Sequence, residues 1–168
     1  MIKMKTLMLG AVGATLLAAP ATAQIVRHGG GANAVILEGV TVPAGAETLV
    51  LSGQLASPID PSKRPDSVES FGDTKTQTVS TLNKIKATLA KHGYAMSDVI
   101  KMTVFVTADP KRPDGKMDFA GMNEGYRQFF GTAENPNVVA RSTVQVAGLA
   151  GPYYLVEIEV TAAKMPAR

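Results

Sequence analysis

Apolar positions recur along this chain with two periods, and each change of period marks an element. From Ala34 to Val42 and from Glu47 to Leu55 the pattern is that of strands, with Pro43-Ala44-Gly45 turning between them. In the second of these, Leu49, Leu51 and Leu55 take one face and Ser52 and Gln54 the other. From Asp73 or Thr74 the period becomes helical. Val79, Leu82, Ile85 and Leu89 form a stripe, and Gly93 is a natural left-handed stop. Asp98 to Thr107 is again a strand, with Ile100, Met102, Val104 and Val106 on its apolar face and Lys101 and Thr103 opposite. A second helix runs from Phe119 to Phe130 with Phe119, Met122, Tyr126 and Phe129 inward; a stripe at this spacing reads as core. Ser57 to Gly72 and Asp109 to Met117 carry prolines and read as loops. The last alternating segments, Asn137 to Val146 and Tyr153 to Thr161, predict a hairpin.

The order β-β-α-β-α-β-β predicts an α+β fold, with two helices covering one face of a mixed sheet. In the late hairpin Ala140, Val144 and Val146 would point one way, with Val156, Ile158 and Val160 as partners. Arg141, Thr143, Gln145, Glu157 and Glu159 would point the other way. That second face also receives Ser52, Gln54, Lys101 and Thr103, which is too polar for a monomer core. Partial burial between subunits would explain it. A guanidinium suits a carboxylate ligand because its planar fork donates two parallel hydrogen bonds. A glutamate on the same face can handle a proton or a water. The plainer alternative is a surface salt bridge, which contributes little.

Charge and composition narrow this picture. The chain of 168 residues suits one domain. Lys3 and Lys5, the apolar run Leu7 to Ala19 and the small residues Pro20-Ala21-Thr22-Ala23 predict a signal peptide, residues 1–23, cleaved after Ala23. The apolar run is short for a membrane span of about 20 residues. Export to a periplasm follows as the expectation, with no membrane attachment after cleavage. Residues 24–33 would be a flexible, glycine-rich arm and 34–168 the folded domain. Without the leader, the 17 basic residues fall to 15 against 14 acidic ones, so the formal +3 overstates the basicity. No basic stripe with interleaved aromatics appears, and nucleic acid is not an expected partner. There is no cysteine, hence no disulfide or thiol chemistry. His28 and His92 lack metal-ligand spacing, so no metal is expected. Gly29-Gly30-Gly31 lacks the lysine of a phosphate loop. Lys84, Lys86 and Lys91 read as a solvated helix face.

The stretch Ala140-Arg141-Ser142-Thr143-Val144-Gln145-Val146-Ala147, followed by Val156-Glu157-Ile158-Glu159-Val160, resembles the signature of the Rid (YjgF-like, reactive intermediate deaminase) family. Leu51-Ser52-Gly53-Gln54, the helix Gln77 to Gly93 and Asn123-Glu124-Gly125-Tyr126-Arg127-Gln128-Phe129-Phe130 are similar to three further family segments in the same order. The resemblance covers Ala34 to Ala163. It implies a chorismate-mutase-like subunit, a homotrimer with clefts between neighbouring subunits, and no cofactor. The implied activity is that of a hydrolase, the deamination of small 2-imino or enamino acids to 2-oxo acids and ammonia. Carried over by motif, Arg141 would hold the substrate carboxylate and Glu157 would orient or activate the water. Ser52 and Gly53 would line the pocket, and the backbone of Thr143 would contact the substrate.

Two positions depart from the family pattern. Many members carry Gly-Pro-Tyr at the first strand, where this chain has Asn33-Ala34-Val35-Ile36-Leu37. Thr143 stands where enamine-active members often have cysteine. Together with export, the missing tyrosine supports a competing expectation, a non-catalytic trimer that binds small carboxylates or acts as a holdase in the envelope. RNA cleavage, an activity of some relatives, fits poorly with a near-neutral exported chain.

Overall fold

The computed structural model describes residues 23–29, 31 and 34–167; the predicted leader, apart from Ala23, lies outside the described residues. The strands are β1 (Val26–His28), β2 (Gly39–Thr41), β3 (Glu47–Leu55), β4 (Val99–Val106), β5 (Ala140–Gln145) and β6 (Val156–Lys164). The helices are α1 (Thr74–Lys91) and α2 (Phe119–Tyr126). The fold is α+β, as the pattern predicts. Strands order as β3-β6-β4-β5 in one mixed sheet, and β1 pairs with β2 in a separate ribbon.

The last two strands do not form the expected hairpin. β5 pairs in parallel with β4, and β6 lies antiparallel between β3 and β4. A parallel pair needs a crossover, and α2 supplies it between β4 and β5. The connection 146–155 is also no tight turn. It is tied down instead by Val146 N–H donating to Val106 O (2.9 Å) and Thr107 N–H donating to Leu155 O (3.0 Å).

α1 forms where the period predicts it. Asp73 caps it by accepting from Thr76 N–H at 2.8 Å, and the chain leaves through Gly93 at φ +76°. Leu82, Ile85 and Leu89 are fully buried where α1 packs on β6 and β3, while Val79 turns towards the 57–72 loop. The other buried positions of α1 are polar: Thr74, Gln77, Thr78 and Thr81. Gln77 is fully used. Its amide donates to Gly72 O and Tyr153 O, both at 3.0 Å, and accepts from Leu155 N–H at 2.8 Å. It thereby fixes the approach to β6 and its glutamates. α2 starts at its Asp118 cap and stops at Tyr126, short of the predicted Phe130. Met122, Tyr126 and Phe130 are buried, whereas Phe119 is 47% exposed.

Residues 24–31, expected to be a loose arm, contain β1. Arg27 explains the docking: its guanidinium donates to Ser97 O (2.7 Å), Val99 O (3.1 Å) and Val138 O (3.2 Å). The first predicted strand, Ala34 to Val42, is correspondingly shorter. Leu37 makes a single parallel bridge to Ala140, and the regular strand covers only residues 39–41.

The helices approach closely at Gly125. A Cβ there would lie 2.8 Å from Thr78 Cβ and 3.1 Å from Lys75 O. Alanine favours a helix over glycine by about 0.8–1.0 kcal/mol, but overpacking a core contact costs typically about 1–3 kcal/mol. Gly125→Ala is therefore expected to be destabilising, read as a lower urea midpoint at unchanged slope. A midpoint at or above that of the unmodified chain would contradict the contact.

Candidate active site

The register of β5 decides which way Arg141 points. Residues paired across a sheet share a face. Arg141 pairs with Met102 and Thr143 with Val104, both buried beneath the helices. Glu159 pairs with Thr103 and Glu157 with Phe105, on the open face. The predicted common face is therefore corrected: Arg141, Thr143 and Gln145 look towards α2, and the two glutamates look away from it. Ser142 and Val144 share the open face, and Val144 is 43% exposed. The alternation was read with apolar residues inward. β5 is an outer strand whose helix side meets polar partners, so its apolar residues face out.

Those partners hold the guanidinium firmly. Arg141 Cζ lies 4.4 Å from the centroid of the Tyr126 ring, a cation–π contact. Tyr126 in turn stacks on Phe130 at 4.9 Å. Arg141 Nη2 donates to Asn123 Oδ1 at 2.6 Å, and Nη1 approaches Met122 Sδ at 3.8 Å. Asn123 Nδ2 donates to Phe119 O at 3.0 Å, which fixes the amide so that its oxygen meets the cation. In the sequence Asn123 was seen only as part of a helical motif, and Tyr126 as a core position of the same helix. Their spacing of three on α2 was the signal that they share a face.

Arg141 makes no ion pair within 4 Å among the described residues. Glu159 in particular does not occupy it. Burial pushes the Arg141 pKa down, with Tyr126 opposing and Arg127 adding to the fall. A guanidinium is nonetheless not deprotonated in proteins, so the group remains a cation. Burial likewise pushes the Tyr126 hydroxyl up, against the pull of the Val139 N–H and of Arg141 and Arg27. A half-buried cation without a counter-ion is costly, and an incoming carboxylate relieves that cost. Beside it, Thr143 Oγ1 is buried with no hydrogen-bond partner among the described residues. Gln145 accepts from Met117 N–H (2.9 Å) and donates to Gly115 O (2.8 Å), pinning the 109–118 loop over the end of β5.

The remaining predicted residues gather on the open face. Leu51 pairs with Val160 and Gln54 with Ile158, so Ser52 and Gly53 together oppose Glu159 in a β-bulge. The bulge shifts the alternation, and Gln54 leaves the face of Ser52 to pair with core-facing Ile158. Glu157 folds its carboxylate over Gly53; a Cβ there would sit 2.8 Å from Glu157 Cδ. Ser52, Gly53 and Glu157 are thus brought together, and Arg141 and Thr143 are brought together, on opposite sides of one sheet. A depression of about 260 Å³ beside Ser52 is lined by Val50, Lys101, Thr103 and Glu159. Lys101 Nζ donates to Ser142 Oγ at 3.2 Å. His28 Nε2 lies 2.7 Å from Thr41 Oγ1, and no group of three metal-ligating side chains occurs among the described residues.

Comparison with known proteins follows the same outline. A family model described as Endoribonuclease L-PSP matches residues 40–164. A RutC family protein from Pyrococcus horikoshii is 40% identical over 116 residues, 69% of this chain and 79% of its own. A relative from Escherichia coli, TdcF, whose name places it among reactive intermediate deaminases, is 37% identical over 100 residues, 60% of this chain and 70% of its own. The crystal structure of Escherichia coli TdcF with bound serine superposes with a TM-score of 0.52 at 33% identity, covering 73% of this chain and 84% of that one.

Arg141 is a candidate anion site, and Asn123 is its hydrogen-bond partner. Benzoate or 2-oxobutanoate is expected to raise the melting temperature, and Arg141→Ala to remove the effect. Asn123→Asp would place a resident carboxylate against the guanidinium. It should weaken ligand binding roughly tenfold or more, the scale of a charge-assisted contact. Undiminished binding by Asn123→Asp would separate Asn123 from the site.

Proposed function

The chain belongs to the reactive intermediate deaminase (Rid, YjgF-like) family, and from that membership we propose that it hydrolyses small 2-imino or enamino acids to 2-oxo acids and ammonia. The observation that carries the proposal is the half-buried Arg141 guanidinium, oriented by Asn123 and Tyr126 and left without a carboxylate partner among the described residues. We place the reaction in a homotrimer. Arg141 and Glu157 of one chain point to opposite sides of its sheet, so a cleft that uses both draws them from two copies. The exposed open face, with Val50 and Val144 among its polar residues, supports such docking.

In this reading Arg141 fixes the substrate carboxylate with N–H groups not given to Asn123. The imine carbon then lies beside a water held by Glu157 of a neighbouring copy, and Ser52 and Gly53 shape the wall. Water adds to the C=N carbon while Glu157 takes its proton. Glu157 passes that proton to the imine nitrogen, giving a carbinolamine; the hydroxyl proton then moves, again through Glu157, to the amino group, which leaves as ammonia while the C=O of the 2-oxo acid forms. Proton transfer contributes about 10²–10⁴-fold and positioning the rest. No metal or organic cofactor enters this scheme. Serine in the TdcF structure is a small amino acid with a carboxylate, which supports the ligand class. The near-neutral charge after the leader argues against RNA as the substrate. The pattern of residues 1–23 supports a periplasmic address.

The assay generates 2-iminobutanoate with an amino-acid oxidase and follows its disappearance. Faster decay with protein is expected, together with a mass of three chains by light scattering. Arg141→Ala should abolish the acceleration. Glu157→Gln should lower kcat by about 10²–10⁴-fold, with a smaller effect on KM. Equal decay with and without protein refutes the enzyme. If carboxylates still stabilise the protein, the non-catalytic binding trimer is the better reading.

A further inference from the structure

Gly53 lies inside β3, and a glycine within a strand weakens it and often marks a close approach. Its backbone does not call for one. Gly53 is not among the glycines of positive φ, so a residue with a side chain could adopt its conformation. Space is what excludes the side chain. A Cβ at Gly53 would collide with Glu157 Oε1, and would lie 2.8 Å from Cδ and 3.0 Å from Cγ of the same residue. The register explains the meeting. Glu157 pairs with Leu55 on β3 and with Phe105 on β4, so a bulky side chain flanks it directly on either side. Gly53 stands two residues before Leu55, diagonally across from Glu157, and leaves the gap that the carboxylate enters. Among the described residues Glu157 makes no ion pair, and packing against Gly53 sets where its carboxylate rests.

We propose that Gly53 is a positioning residue for Glu157. By lacking a side chain it forms the seat in which the carboxylate lies, and so fixes where that carboxylate holds a water. One methyl group at this position drives the carboxylate from its seat without touching Arg141, which lies on the other side of the sheet. The catalytic part of the assignment rests on the deaminase reading, but the seat itself has a separate readout.

Gly53→Ala should lower kcat for 2-iminobutanoate by about 10²-fold, the scale of a displaced catalytic group, while KM changes by less than roughly threefold. 2-Oxobutanoate should still raise the melting temperature of this variant, because Arg141 is untouched. A double-mutant cycle on stability needs no turnover. Gly53→Ala should lower the melting temperature of the unmodified protein and of Glu157→Gln, whose side chain keeps the shape of the original. In Glu157→Ala, where nothing enters the seat, the same change should leave the melting temperature unchanged or raise it, since alanine is favoured over glycine within a strand. Where Gly53→Ala alone does not fold, recovery of folded protein on adding Glu157→Ala is the same result. An equal loss of melting temperature in the unmodified and Glu157→Ala backgrounds would overturn the seat. Should 2-iminobutanoate be hydrolysed while kcat of Gly53→Ala stays within about twofold of the unmodified protein, the positioning role falls and the deaminase stands. Should no imine react while the stability cycle holds, the seat stands and the deaminase falls.

Discussion

Parallel pairing of β5 with β4 governs the site. Because Met102 and Val104 face the helices, their partners Arg141 and Thr143 must face them too. The crossover through α2 makes this pairing possible, and the same helix supplies Asn123 and Tyr126 to receive the guanidinium. One element thus sets both the direction of the cation and its surroundings. On the far side, β6 is fixed between β3 and β4, so its glutamates emerge on the open face with the Ser52-Gly53 bulge beside them.

A cation–π contact and one short hydrogen bond hold Arg141, yet neither neutralises it. The folded chain therefore bears part of the desolvation cost of this cation. Thr143 contributes a buried hydroxyl on the same side, unpartnered among the described residues, and Gln145 closes the loop over the strand end.

Much of this was legible in the sequence, and the errors have physical causes. Helical stripes located α1 and α2, the second drawn too far to Phe130, because period and caps act locally. Leu82, Ile85 and Leu89 are core as expected. Strand partnership is not local: Arg141 and Glu157 were assigned to one face because two late strands looked like a hairpin, and alternation cannot tell that β4 lies between them. The bulge at Ser52 and Gly53 was equally invisible, since it depends on what opposes it. β1 was missed because three residues of mixed character become a strand only by pairing with β2, a partnership the local pattern does not show.

Arg27 has a practical side. The carbonyls it engages belong to the chain entering β4 and to the segment leading into β5, so Arg27 fastens together the beginnings of two strands far apart in sequence. A recombinant version begun beyond residue 27 would keep every residue of the sheet and still lose this fastening. Where the amino terminus is trimmed is thus a structural choice, and a purification tag belongs at the other end of the chain.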